Sequence, residues 1–508
     1  MKISIDPVTR IEGHLKVETF IEGNKVVDAK AHADMYRGIE KALIGYDYLA
    51  AIQITQRACG CCPYAHAEAA ALAIEDALDI ELNKNGKLLR NLIIAGYKVN
   101  DYVLHFYTLS SLDFIDVTAI LNYKGNSDKL NQFKEVVKRE LQSKSIFPSP
   151  IFTNRYKGNY LELKELNIAL INHYLEHFEF LRKSNELVRI FGSKAPHMVS
   201  IEAGGVTTKP TPERVLKYIE LLKEVKKFVE EKYIPDVLIV GSHFKEYFKI
   251  GKGVNNFLSV NTILDLDGNY LFWDGFSKDF NIPEKVDPNE IIEYQDYSYY
   301  KRDGAYKPLE LQELLPLSLE EFKQNKKKYS WSKAPRYKDE VVEVGPAAVV
   351  INNYLRGNKK VVDLVDKFNK MLGITIKDYN SVMGRHLSRA ILSKIIVEKL
   401  EEWINLVDID ELGFIQLKNV PNNVRGIGLT EATRGVLAHF TDIGENGFIR
   451  NYDMVVPTTW NISPLDGKNR HGALEEMLIG TKVKDPKNPI EIARIIRSID
   501  PCLACSVH

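Results

Sequence analysis

Arg57-Ala58-Cys59-Gly60-Cys61-Cys62-Pro63-Tyr64-Ala65-His66 decides how this chain is read, together with a distant counterpart, Asp500-Pro501-Cys502-Leu503-Ala504-Cys505-Ser506-Val507-His508. Each holds a C-x-x-C pair, Cys59/Cys62 and Cys502/Cys505, and the fifth and last cysteine is Cys61. Two such pairs supply four thiolates, a donor set suited to soft or borderline metals. Spacing alone leaves three readings open: structural zinc, disulfide or C-x-x-C redox chemistry, and a catalytic metal. The pairs are 443 residues apart, whereas a zinc module usually closes a short loop. Five cysteines in 508 residues are too few for a disulfide-built scaffold.

Outward from these pairs, the chain has the make-up of a soluble globular protein, 45% hydrophobic and 27% charged. Lys+Arg and Asp+Glu both number 68, so there is no basic excess of the kind that nucleic acid requires. The basic run Lys326-Lys327-Lys328 reads as a solvated face. No apolar stretch reaches the roughly 18 to 20 residues of a membrane span. Met1-Lys2-Ile3-Ser4-Ile5-Asp6-Pro7 has no signal-peptide pattern, so export would depend on another polypeptide. There is no G-x-G-x-x-G turn or P-loop, hence no evident nucleotide site.

His14 to Phe20 alternates with period two, and Glu22-Gly23-Asn24-Lys25 supplies a turn before Val26-Val27, predicting N-terminal β-hairpin elements. Helical patterning runs from about Ala42 to Leu82, Leu88 to Ser111 and Val361 to Val407. Leu166, Leu170, Tyr174, Phe178 and Leu181 mark another apolar helix face. Thr211 reads as an N-cap before Pro212 and Glu213. From about Pro235 to Tyr337 the pattern is irregular, with a hairpin turn expected at Asp267-Gly268. Nothing marks a domain boundary, so residues 1–508 read as a single unit.

The two cysteine segments resemble the R-x-C-G-x-C-x-x-x-H and D-P-C-x-x-C-x-x-H signatures of nickel–iron hydrogenase large subunits. The resemblance extends along the chain through Arg10-Ile11-Glu12-Gly13-His14, Arg37-Gly38-Ile39-Glu40, Lys194-Ala195-Pro196-His197, Gly204-Gly205-Val206, Lys333-Ala334-Pro335-Arg336-Tyr337, Glu343-Val344-Gly345-Pro346 and Pro457-Thr458-Thr459-Trp460-Asn461. The irregular middle resembles the family least. The implied fold is α+β, mainly α, with a large helical core and N- and C-terminal segments converging on a buried metal site.

The resemblance implies that Cys59 and Cys502 are terminal nickel ligands, and that Cys62 and Cys505 bridge nickel to an iron carrying two cyanides and one carbon monoxide. It implies reversible heterolytic cleavage of H2, with a terminal cysteine sulfur as the usual candidate base and Glu12 relaying the proton outward. Arg434 matches the arginine facing the diatomic ligands, Asp101 and Asp500 the carboxylates that position it, and Pro457 and Thr458 the lining of the cyanide pocket. His66 is expected to hydrogen-bond a bridging sulfur. Glu40, the backbone oxygen of Met454 and His508 match a magnesium site, an ion that keeps several waters. The sequence departs from the family at Thr433, usually proline, at Tyr102, often histidine, and at Cys61, commonly valine. The last stands where the gas channel meets the metals, and is expected either to act as a small hydrophobe or to alter gas access and oxygen sensitivity.

Cysteine at 502 separates the chain from the selenium-containing subclass, which has selenocysteine there. Ending at His508 matches a mature form whose tail has been removed, or a member without one. One spare cysteine cannot hold an iron–sulfur cluster, so electrons are expected to leave through an iron–sulfur small subunit in a heterodimer. Separate maturation proteins would insert the metal ligands. The expected role is an uptake enzyme, periplasmic or membrane-associated through its partner, with a cytoplasmic location and a regulatory H2-sensing subunit as the alternatives.

Overall fold

Ile3 and Ile5, then Leu15 and Val17, alternate with more exposed neighbours, and this period-two pattern builds the first sheet of the computed structural model, which describes residues 1–142, 159–266, 268–311, 314–418 and 420–508. Strands β1 (Lys2–Ile5), β2 (Leu15–Glu22) and β3 (Lys25–Ala33) pair antiparallel, with Ile5 opposite Val17 and Leu15 opposite Ala33. The turn read at Glu22 to Lys25 joins β2 to β3, with Gly23 and Asn24 both at positive φ.

The expected helix from Ala42 to Leu82 is broken where the chemistry lies. A short helix, Ala50–Thr55, runs into a 3₁₀ turn at Gln56–Ala58, and Cys59 is extended, with φ −145° and ψ 147°. Helix α1 (Pro63–Ala77) restarts directly after Cys62, its proline in the first turn. Helix α2 (Lys84–Leu104) is capped by Asn83, whose side chain accepts from the Gly86 amide at 2.7 Å. It packs on α3 (Lys164–Gly192), which packs on α4 (Pro212–Phe228). The Thr211 cap holds, its hydroxyl accepting from the Arg214 amide. Patterning from Val361 to Val407 resolves into Lys359–Leu372, closed by left-handed Gly373, and α5 (Val382–Ile404), which packs on α2 and α4.

The irregular middle holds short strands, including the antiparallel pair Thr262–Leu264 and Tyr270–Phe272. These flank the turn read at Asp267-Gly268, although Asp267 lies outside the described residues. Lys328 departs from the solvated-face reading: its side chain is only 10% exposed, and its ammonium donates to Asp303 and to the Gln295 carbonyl.

A second antiparallel sheet, β4 (Val424–Ala432), β5 (Gly435–Ile443) and β6 (Ile449–Val455), lies against α1. The approach is close: a Cβ at Gly428 would fall 1.9 Å from the Ala69 carbonyl oxygen. Ala432 pairs with Gly435, so Thr433 and Arg434 form the tip of the β4–β5 hairpin. Gly435 has φ +130°, and a Cβ there would meet Val344 at 2.4 Å. All four pair-forming cysteines belong to the main buried core. The molecule is thus α+β and mainly α, with both chain ends reaching the same interior point.

Candidate metal centre

The two ends meet through the backbone before any side chain is considered. Glu12 and Cys502 form a parallel bridge, and the Leu503 amide donates to the Glu12 carbonyl at 2.9 Å. Short helices Pro457–Asn461 and Leu503–Ser506 pack together over the same spot. Cys59 and Cys502 sulfurs lie 3.2 Å apart, as do Cys62 and Cys505, with Cys502 and Cys505 at 3.1 Å. These exceed the 2.05 Å of a disulfide, and all five cysteines are free thiols. The four sulfurs lie within 4.8 Å of one another and are buried. Cys61 stands apart from them: half-buried, it donates its amide N–H to Cys59 Sγ at 3.1 Å.

Glu12 reaches the cluster from its half-buried position. Its Oε2 accepts from the Ala504 amide at 2.9 Å and lies 3.3 Å from Cys502 Sγ. Burial, reinforced by the neighbouring Cys59, raises its carboxyl above the ordinary range.

Arg434 projects from the hairpin tip with 3% of its surface exposed. Nε donates to the Asp500 carbonyl at 3.0 Å and Nη2 to Asp500 Oδ1 at 3.2 Å, while Nη1 lies 3.6 Å from Asp101 Oδ2. Burial opposes the guanidinium charge, and Asp500 and Asp101 more than offset it. Nη1 has no hydrogen-bond partner among the described residues. Burial also pushes Asp101 up to about 7, against the pull of Arg434. A small pocket beside the sulfurs is lined by Cys62, Cys502, Cys505, Arg434, Pro457 and Thr458. Thr458 holds the loop by accepting from the Cys502 amide at 3.0 Å.

His66 Nε2 lies 3.4 Å from Cys505 Sγ, and its other nitrogen meets His439 at 3.1 Å. Burial drives His66 down to about 3, so the ring is neutral.

Beyond the sulfurs, His508 Nε2 lies 3.1 Å from Glu40 Oε1 but is out of line for a hydrogen bond. Lys333 stands 3.5 Å from the same oxygen and 2.6 Å from Glu293. Burial disfavours the Glu40 anion, yet Lys333 and His508 hold its carboxyl down at about 2. The Met454 amide donates to the Glu40 carboxylate at 2.8 Å.

The structure adds groups that motif reading did not find. Arg37 binds both cysteine segments, donating to the carbonyls of Arg57 at 3.0 Å, Ala504 at 3.3 Å and Ala58. Its place in Arg37-Gly38-Ile39-Glu40 was the available signal. Thr433 donates its hydroxyl to Asp101 at 2.8 Å and its amide to the Tyr64 hydroxyl at 3.0 Å, and a proline could do neither. Tyr64 and His439 carry no spacing signal, because their partners are 369 and 373 residues away.

Four buried free thiols with orphaned Arg434 and His508 nitrogens around them suit a metal centre better than a redox disulfide. Residues 37–508 match the family described as nickel-dependent hydrogenase, and residues 2–33 match a HoxL-like family. The chain is 34% identical to the periplasmic [NiFeSe] hydrogenase large subunit of Desulfomicrobium baculatum, covering 100% of this chain and 95% of that one. It is 32% identical to the hydrogenase-2 large chain of Escherichia coli K12, covering 100% and 97%. Among solved structures, the Ni-Fe-Se hydrogenase from D. vulgaris Hildenborough superposes with a TM-score of 0.86 at 35% identity, over 100% of both chains. This chain carries cysteine at 502. It belongs to the nickel-dependent hydrogenase family, as the large subunit of a hydrogenase.

Proposed function

We propose that the chain holds a nickel–iron group on Cys59, Cys62, Cys502 and Cys505 and catalyses reversible cleavage of H2, working in the uptake direction. The observation that carries this reading is the convergence of four free sulfurs beside a carboxyl that is itself half-buried. When bound, the group supplies the Lewis-acidic, electron-accepting site at which H2 is split heterolytically.

The protein's own residues handle the proton and the surroundings. Cys502 Sγ is the base, and Glu12 Oε2, 3.3 Å away, takes the proton from it. A carboxylate with a raised pKa takes up a proton more readily than an ordinary one, which suits Glu12 to receive it from the sulfur. Arg434, fixed by Asp500, presents Nη1 as the donor left over for the cyanide and carbonyl ligands of the iron. Pro457 and Thr458 line that pocket. Glu40 and His508, with Met454, would hold magnesium; the out-of-line His508 nitrogen and buried Glu40 anion suit an ion between them.

Arg57 and Gly60 are exposed while Cys59 beside them is buried, so a partner docked there comes within a few residues of the sulfurs. An iron–sulfur small subunit is the partner of this surface, and maturation proteins supply the cyanide and carbon monoxide. Relatives named uptake hydrogenase, from Rhizobium leguminosarum, and quinone-reactive hydrogenase, from Wolinella succinogenes, support the uptake direction, each at 32% identity. Among the described residues no helix is long and apolar enough to cross a membrane. A periplasmic or membrane-associated site reached through the small subunit accords with this and with the relative named periplasmic.

The test is an infrared spectrum of the purified complex with metal analysis on the same sample. Two cyanide bands, one carbonyl band and about one nickel and one iron per chain support the proposal. Zinc in their place, in protein made alongside its maturation machinery, overturns it.

A further inference from the structure

A continuous hydrogen-bonded chain leads away from Cys505 into the second sheet. Cys505 Sγ meets His66 Nε2 at 3.4 Å, His66 Nδ1 meets His439 Nε2 at 3.1 Å, and His439 Nδ1 meets the Tyr452 hydroxyl at 2.7 Å. All are buried: His66 is 1% exposed, His439 0% and Tyr452 2%. His66 comes from α1, His439 from β5 and Tyr452 from β6. Among the described residues neither imidazole is hydrogen-bonded to a carboxylate, and burial in this interior favours the uncharged ring.

A neutral imidazole has one N–H and one acceptor nitrogen, and this fixes the direction of every hydrogen bond in the chain. A metal-bound thiolate can only accept, so His66 must donate from Nε2. Its Nδ1 is then bare and must receive the N–H of His439 Nε2. His439 Nδ1 is bare in turn, and the Tyr452 hydroxyl supplies its proton. Each group is left a single role, and the end of the chain is a phenol that does not touch the sulfurs.

We propose that Tyr452 and His439 are positioning residues that lock His66 in the tautomer donating to Cys505, and so set the electron density on that sulfur. The inference rests on the nickel–iron reading above. Without the Tyr452 hydroxyl, His439 is free to carry its proton on Nδ1. Its bare Nε2 then accepts from His66 Nδ1, and His66 turns a lone pair toward the sulfur. The lost N–H···S bond leaves Cys505 a stronger electron donor to whatever metal it holds. Partners beyond the ligands commonly tune metal sites in this way.

The experiment compares parent, Tyr452→Phe, His439→Leu and His439→Gln as complete heterodimeric holoenzymes, reading infrared band positions and the midpoint potential of the nickel centre. Tyr452→Phe and His439→Leu are expected to move the carbonyl and cyanide bands to lower frequency and the potential to a more negative value. His439→Gln keeps a side-chain N–H for His66 Nδ1 and is expected to return both toward the parent. Bands that coincide in parent, Tyr452→Phe and His439→Leu overturn the proposal. So does a His439→Gln protein shifted as far as His439→Leu. A Tyr452→Phe protein that folds but takes up no metal also overturns it, because the relay tunes the site and does not build it. Absence of the bands from the parent itself would instead sink the nickel–iron reading.

Discussion

Glu12 meets Cys502 at 3.3 Å and His66 meets Cys505 at 3.4 Å, so a carboxyl stands beside one sulfur of the C-terminal pair and an imidazole beside the other. Desolvation acts on both, and with opposite consequence. It disfavours the charged form, which lifts the Glu12 carboxyl toward neutral pH and drives the His66 imidazole down to about 3. The carboxylate binds a proton more readily than an ordinary one, while the imidazole becomes a fixed dipole. Their settings match this division. Glu12 lies half-buried in the junction of the chain termini, whereas His66 is enclosed between α1 and the β4–β5–β6 sheet. In the proposed function one side of the cluster moves protons and the other holds them still.

The largest expected effect is on the mobile side. Glu12→Gln should lower H2 turnover by about 10²- to 10⁴-fold, the usual worth of a positioned acid–base group, with nickel content and infrared bands unchanged. Turnover within a factor of about two of the parent would remove Glu12 from the proton route and with it the contrast.

Next comes the clasp that holds this side. Asp113 receives Arg497 Nη1 at 2.7 and 2.9 Å and also Arg10, two residues before Glu12. Asp113→Ala strands two buried guanidinium groups and should cost about 3–5 kcal/mol in denaturant unfolding. A loss below about 1 kcal/mol would show that the termini are held by packing alone.

Acid should separate the two sides in order. Burial raises the Asp113 carboxyl, but Arg10 and Arg497 outweigh it and hold it at about 2, below the ordinary 3.8. A depressed folded pKa contributes stability that is complete above the unfolded value and disappears as pH falls through the folded one. His66 is held neutral down to about 3 against an ordinary 6.5, so its contribution begins to disappear as pH falls below about 6.5. Amide hydrogen exchange around His66 should therefore rise before that around Glu12, which follows between pH 4 and about 2. Simultaneous opening would contradict the contrast.

The smallest effect is at the hairpin tip between them. Thr433→Pro deletes the hydrogen bonds to Asp101 and Tyr64, worth about 1 kcal/mol each. It should also raise the Asp101 carboxyl further above about 7, because the Thr433 hydroxyl stabilises its anion. The carboxyl stretch of Asp101, followed against pH, measures that shift.

Much of the proton-moving side was legible in the sequence. Cysteine spacing, with motifs around Glu12, Arg434, Asp500 and Thr458, announced residues that the fold brings to one place. Those are local signals, carried by neighbours in the chain. The static side was largely illegible: His439 and Tyr452 are single residues in strands, related to His66 only through sheet register and the close packing of Gly428 on α1. The same limit hid the break in the helix expected from Ala42 to Leu82. Apolar periodicity persists across a 3₁₀ turn and an extended cysteine, because both sides of the break face one core. Motif matching named Glu40, His508 and the Met454 backbone together, and the fold brings the Glu40 carboxylate beside His508 and the Met454 amide, although a backbone atom has no sequence signature of its own.

The pairing of Cys59 with Cys502 and of Cys62 with Cys505 has a polymer consequence. An ion shared by these thiolates is a cross-link closing a loop of 443 residues. Treated as a disulfide-like tie, a closure of that length removes about 6 kcal/mol of chain entropy from the unfolded ensemble. That is comparable to the whole net stability of many domains. Metal uptake would then register in the unfolding of the entire molecule, including helices far from the cysteines, and the loaded chain would resist denaturation as a ring where the empty one opens as a line.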